Sequence, residues 1–132
     1  MNKLAIIGRI LFALPFGVMG VNHFLMKNYF LGIMSSFIPG GGFTILITGL
    51  ILILACVLII MNQFLKTVCY SLAGLLFIFI VTIHIPQLST SDWQIAFIEL
   101  LKDTSLMGGA IMIALFSDSL KELDASKSKR KK

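Results

Sequence analysis

The run Trp93-Gln-Ile-Ala-Phe-Ile-Glu99-Leu-Leu-Lys102-Asp103-Thr-Ser-Leu-Met-Gly108-Gly109-Ala-Ile-Met-Ile-Ala-Leu-Phe116 decides how this chain folds. Its uncharged part, 104–116, would rise about 20 Å as a helix, short of a hydrocarbon core of about 30 Å. Ser117-Asp118-Ser119, followed by Lys121 and Glu122, closes the run on its far side. A span must therefore reach back through Asp103, Lys102 and Glu99. A charged residue at mid-bilayer costs roughly 2.5–3.5 kcal/mol on insertion scales, so such residues face protein and not lipid. The run predicts a membrane helix with one charged, protein-facing side.

The rest of the chain supplies its neighbours. The 132 residues are 58% hydrophobic, with a mean hydropathy of +0.98, a composition that excludes an ordinary water-soluble domain. Three further apolar runs have the length of about 20 residues that one helix needs to cross a bilayer. The expected fold is all-α: an antiparallel bundle of four transmembrane helices, with spans at about 4–25, 43–61, 67–85 and 95–116. A transmembrane domain over 1–118 and a basic cytoplasmic tail over 119–132 divide the chain. The first run continues too far, and lacks the small-x-small site, for a cleaved signal peptide.

Basic residues predict the orientation. Lys3 precedes span one, Lys66 lies between spans two and three, and Lys121, Lys127, Lys129, Arg130, Lys131 and Lys132 follow span four. Only Lys27 lies in a loop on the other side. Both termini are expected in the cytoplasm, with the protein multi-pass in the cell (inner) membrane. The tail reads as a topology signal on anionic lipid, and no folded basic domain accompanies it to suggest nucleic acid. Cys56 and Cys69 lie in apolar surroundings toward the reducing face and read as packing thiols. No Cys/His cluster marks a metal site, so no metal ligands are named.

Along span one, Arg9, Ala13, Phe16, Gly20 and His23 fall within about 40° of a common line at helical spacing. Small residues admit a neighbouring helix, so this stripe is expected to face the bundle. Pro15 is expected to bend the span. Phe30, Ile33, Met34 and Phe37 recur at helical spacing between spans one and two and predict a short interfacial helix. Pro39-Gly40-Gly41-Gly42 then reads as a flexible turn, since no lysine follows and no strand precedes it as in a phosphate loop. Tyr70, Ala73, Phe77, Ile80 and His84 form one stripe of span three. Trp93 reads as an interfacial anchor. Arg9 is expected to snorkel toward headgroups, and Gly108 and Gly109 to permit close helix packing.

Placed by depth, Asn22, His23, His84, Glu99, Lys102 and Asp103 converge on the outer third of the bundle. Glu99, Lys102 and Asp103 share one face of span four. Lys102 can pair with one carboxylate, and His23 or His84 can meet the other. Two readings stand at this point: an ionic clasp between helices, or a hydrated pocket that binds a polar headgroup or exchanges protons, as quinone chemistry requires.

Several segments together resemble the DoxX family of small four-helix membrane proteins: Arg9-Ile-Leu-Phe, Gly20-Val-Asn-His23-Phe, the Pro39-Gly loop, His84 closing span three, and Leu101-Lys102-Asp103-Thr-Ser-Leu-Met-Gly108-Gly109-Ala. The likeness runs from Ile6 to Phe116, and Arg9, His84, Lys102 and Asp103 match family positions. The resemblance implies a four-helix bundle and, in some members, a link to sulfur or thiol redox chemistry at the quinone pool. Many bacterial members carry an acidic residue in span two before glycines; here that region reads Ile47-Thr48-Gly49-Leu50. Two functions are therefore expected as alternatives. One is a membrane component of a quinone-linked redox system, whether or not it is itself an enzyme, with quinone the only cofactor suggested. The other is a non-enzymatic module that packs against a partner protein or carries a small solute or lipid, alone or as a homo-oligomer. The lipid bilayer is the one partner required by both.

Overall fold

The computed structural model describes residues 3–34, 36 and 38–129, with side chains described through Ser119. Ser35, Phe37 and Arg130–Lys132 lie outside the described residues, as do the side chains of the tail lysines. Helix α1 is Lys3–Leu25, α2 is Lys27–Ile33, α3 is Gly42–Ile60 and α4 is Leu65–Phe79. A π-helical turn, Ile80–His84, continues α4 into the single turn α5, Ile85–Gln87, and α6 is Trp93–Lys129. Four helices are long and apolar enough to cross a membrane: Lys3–Leu25, Gly42–Ile60, Leu65–Gln87 and Trp93–Ser119. The protein is all-α and a multi-pass membrane protein. The last helix continues unbroken from its apolar part through 119–129, so the tail begins as helix.

Without water to exclude, membrane helices associate through close van der Waals fit, which favours small residues at contacts. Helix α1 packs along α3, and α4 packs along α6. One core cluster joins both pairs: Ala13 and Phe16; Leu52, Ala55, Cys56 and Ile59; Cys69, Leu72, Ala73 and Leu76; Ala110 and Ala114. The span-one stripe faces inward as its spacing predicts, with Ala13, Phe16, Gly20 and His23 all buried. The tightest point is the crossing of Gly20 and Gly49. A Cβ added at Gly20 would lie 2.7 Å from the Gly49 carbonyl oxygen, and one added at Gly49 would lie 2.7 Å from His23 Cβ. Both cysteines are free and buried.

One end of the bundle carries Arg9 and Lys66. Arg9 Nη2 donates to the Ile60 carbonyl at 3.5 Å, closing the C-terminus of α3, where orphan carbonyls and the helix dipole favour a cation. Lys66 pairs with Asp118 at 2.5 Å across α4 and α6. The core fills this half of the bundle. At the other end the two helix pairs leave room between them, and α2 lies across that end.

Two details of the helices differ from the reading of the sequence. The span-three stripe does not hold: Tyr70 and Phe77 are exposed, while Leu72, Ala73, Leu76, Ile80 and His84 are buried. Inward positions 76, 80 and 84 recur every four residues, which a strict α-helix would rotate off the core. The wider i→i+5 turn over Ile80–His84 returns His84 to the bundle interior. The interfacial helix stops at Ile33, because Met34 is extended (φ −71°, ψ 131°).

Candidate functional site

A cavity of about 1020 Å³ opens between the helix pairs at the end away from Arg9 and Lys66. All six residues singled out by depth line it: Asn22, His23, His84, Glu99, Lys102 and Asp103. Most of the remaining wall is apolar, with Phe16, Met19, Ile45, Leu52, Phe79 and Leu106 among its residues. Phe30 and Ile33 of α2, with Met34 just beyond its end, close one side. An apolar chamber with a few convergent polar groups is the usual form of a small-molecule site.

The polar wall is one connected network. His84 Nε2 lies 2.9 Å from Asp103 Oδ2, and both residues are buried, His84 at 9% and Asp103 at 5% exposure. A carboxylate only accepts, so the imidazole donates its Nε2 proton, which fixes the tautomer. His84 Nδ1 has no hydrogen-bond partner among the described residues. Asp103 Oδ1 lies 3.6 Å from Lys102 Nζ, and Lys102 makes a direct ion pair with Glu99 three residues earlier. Glu99 and Lys102 keep more than a third of their side chains accessible. The outward part of the network thus faces the chamber, while Asp103 and His84 sit behind it.

This division answers which carboxylate meets which base. Lys102 takes Glu99, and His84, not His23, takes Asp103. His23 is engaged elsewhere: its Nδ1 donates to the Met19 carbonyl at 2.7 Å, and its ring stacks on Phe30 at 4.2 Å and 14°. That leaves His23 Nε2 as an acceptor in the neutral ring. Asn22, partly buried, lines the chamber beside it.

The other positions named from the sequence fall as follows. Arg9 binds the end of α3 rather than reaching toward Asp103. Gly20 lies at the crossing with α3, and Gly109 faces Phe12, whose ring a Cβ would approach to 3.0 Å. Gly108 packs against nothing within 4 Å. Adjacent helical residues point about 100° apart, so only one of the two glycines can meet the neighbouring helix. Trp93 opens α6 and is half exposed.

Two features of the site were missed from the sequence. Gln87 donates to the Ile33 carbonyl at 3.5 Å, joining the end of span three to α2. His84, Glu99 and Asp103 also bring ligating atoms within 4.8 Å of one another. The sequence names no metal ligands because it has no Cys/His cluster; these three residues are brought together from two helices. The donor set of one imidazole and two carboxylates suits a divalent ion in kind. Here the Lys102 ammonium already lies against both carboxylates and supplies the neutralising charge.

No protein-family model, curated protein or solved structure matches this chain.

Proposed function

We propose that the chamber binds an apolar-tailed molecule with a hydrogen-bonding head, of the quinone class, and that the protein is the membrane component of a redox system. One observation carries this reading: a buried, hydrogen-bonded Asp103–His84 pair belongs to the polar side of a cavity whose remaining wall is mostly apolar. Interhelical polar contacts in membranes are worth only about 0.6–2 kcal/mol each, a small return for holding three charges within a span. A polar head in the chamber gives those charges a further partner.

The residues suit the head group by kind. Quinone carbonyls accept hydrogen bonds, and the Lys102 ammonium and the Asn22 amide are donors on the chamber wall. A bound quinone supplies electron and proton exchange with the membrane pool. His84 and Asp103 hold the adjacent polar wall in one tautomer, and the apolar lining takes the tail. The resemblance to the DoxX family supports the same assignment, since some members act at the quinone pool. In this reading the chamber lies at the outer face of the cell membrane, with both termini in the cytoplasm. The excess of lysine at the opposite end supports that orientation.

A second reading is favoured by the absence of an acid at Ile47–Leu50: a non-enzymatic module that carries a small solute or lipid for a partner protein. Purification in native lipid followed by mass spectrometry of co-purifying molecules tests both. A stoichiometric quinone, lost in Lys102→Met and Asp103→Asn, is the expected result. Absence of quinone, together with no saturable binding of a short-chain naphthoquinone, would overturn the redox reading in favour of the second.

A further inference from the structure

The chamber carries an imbalance of charge that the quinone reading does not use. Asp92, Glu99 and Asp103 line it against a single cation, Lys102. Among the described residues these three carboxylates and one ammonium sum to a formal −2. Lys102 pairs with Glu99 and also lies 3.6 Å from Asp103, so one ammonium serves two carboxylates inside the chamber, and Asp92 adds a third at the connection between spans three and four. A low-dielectric cleft lined by one sign of charge focuses its field on whatever enters. An anionic head, whether carboxylate or phosphate, would be repelled from this wall, and a cationic one drawn to it.

The apolar lining points the same way. Phe16, Tyr29, Phe30 and Phe79 all border the cavity, and aromatic faces attract cations through the ring quadrupole, most strongly when water is excluded. Two methionine side chains, Met19 and Met34, add soft, adaptable surface beside them. Aromatic and thioether walls with surplus carboxylate are the complement of a bulky, weakly hydrated monocation. A small, strongly hydrated metal ion would instead require Lys102 to leave Glu99.

We infer that this chamber is a binding site for lipophilic monocations, amines or quaternary and phosphonium ions with large apolar substituents, selected over anions of the same shape by the excess of carboxylate over ammonium on its wall. The inference does not depend on a quinone being bound, and the two can fail separately.

The test uses the full chain in nanodiscs of zwitterionic lipid, with protein-free discs as the blank, and two probes of nearly equal size and opposite charge. Tetraphenylphosphonium is expected to bind saturably at one site per chain, and tetraphenylborate not at all above the blank. Asp103→Asn should weaken phosphonium binding by roughly tenfold or more, as expected for one charge lost near a site of reduced dielectric. Lys102→Met should tighten it by a similar factor, and this variant keeps the test open should Asp103→Asn not fold. Equal binding of the two probes, no saturable phosphonium binding, or a Lys102→Met variant that binds phosphonium more weakly than the wild type would each overturn the proposal. A short-chain naphthoquinone titrated in the same discs reads the quinone proposal independently.

Discussion

His84 and Asp103 meet at 2.9 Å although they lie 19 residues apart in the chain, on either side of the connection between spans three and four. Neither could hold this position alone. Asp103 lies on the inward face of α6 because the flanking inward residues, Ala96 and Ala110, are small and let α4 and its π-helical extension approach. His84 reaches it only because the turn over Ile80–His84 is wider than an α turn.

Coupling between these two residues should be measurable. Asp103→Leu is expected to destabilise the bundle by about 2 kcal/mol, since it leaves the His84 donor buried without its acceptor. The His84→Leu, Asp103→Leu pair should recover part of that loss, with a coupling energy of about 1 kcal/mol. A double-mutant cycle on reversible unfolding in mixed micelles reads it, and a coupling of zero would remove the pair from the account of this site.

The crossing of span one with span two allows little added volume. Gly49→Val is expected to cost roughly 1–3 kcal/mol, because its side chain would meet the Gly20 carbonyl and His23 Cβ, and neither belongs to a flexible side-chain end. Gly108→Ala has open space around it and should leave unfolding unchanged. Equal behaviour of the two variants in the same unfolding assay would contradict the packing described.

Helix α2 buries none of its residues, so its position depends on a few contacts. The stack of Phe30 on His23 and the Gln87 bond to Ile33 are two of them. Phe30→Ala is expected to speed dissociation of a chamber ligand several-fold with a smaller change in association, as stopped-flow displacement of a fluorescent ligand would record. Unchanged dissociation would mean that α2 does not enclose the ligand.

The turn before span two depends on glycine for conformational reasons. Gly40 and Gly41 have φ of 91° and 50°, in the region that side chains avoid. Gly40→Ala also drives its Cβ onto the Thr44 hydroxyl, which donates to the Pro39 carbonyl. A loss of about 1 kcal/mol is expected, read by thermal unfolding. Gly32→Ala, with nothing near it, serves as the neutral control.

Orientation has its own check. A cysteine at Ser91, in the connection between spans three and four, should react with a membrane-impermeant maleimide in intact cells. A cysteine at Gln63 should react only after the membrane is opened. The native thiols are buried and give little background. The reverse pattern would place the chamber on the cytoplasmic side.

The four spans were legible because bilayer thickness translates directly into a length of apolar sequence. The inward face of span one was legible too, since Ala13, Phe16, Gly20 and His23 follow an undisturbed helical period. So was the gathering of six polar residues at one depth: depth follows from position along a span, and charge in lipid seeks protein. The chain alone left the partners of those residues open. Span three misled because its register is reset by a π turn, which has no signature in residue spacing. The choice of His84 over His23 was out of reach for a related reason. A hydrogen bond is decided by a few tenths of an ångström, set by which helices pair and at what rotation. That rotation follows from the fit of the small residues along α1 with α3 and along α4 with α6. The sum of many weak, non-directional contacts therefore decides which polar groups meet.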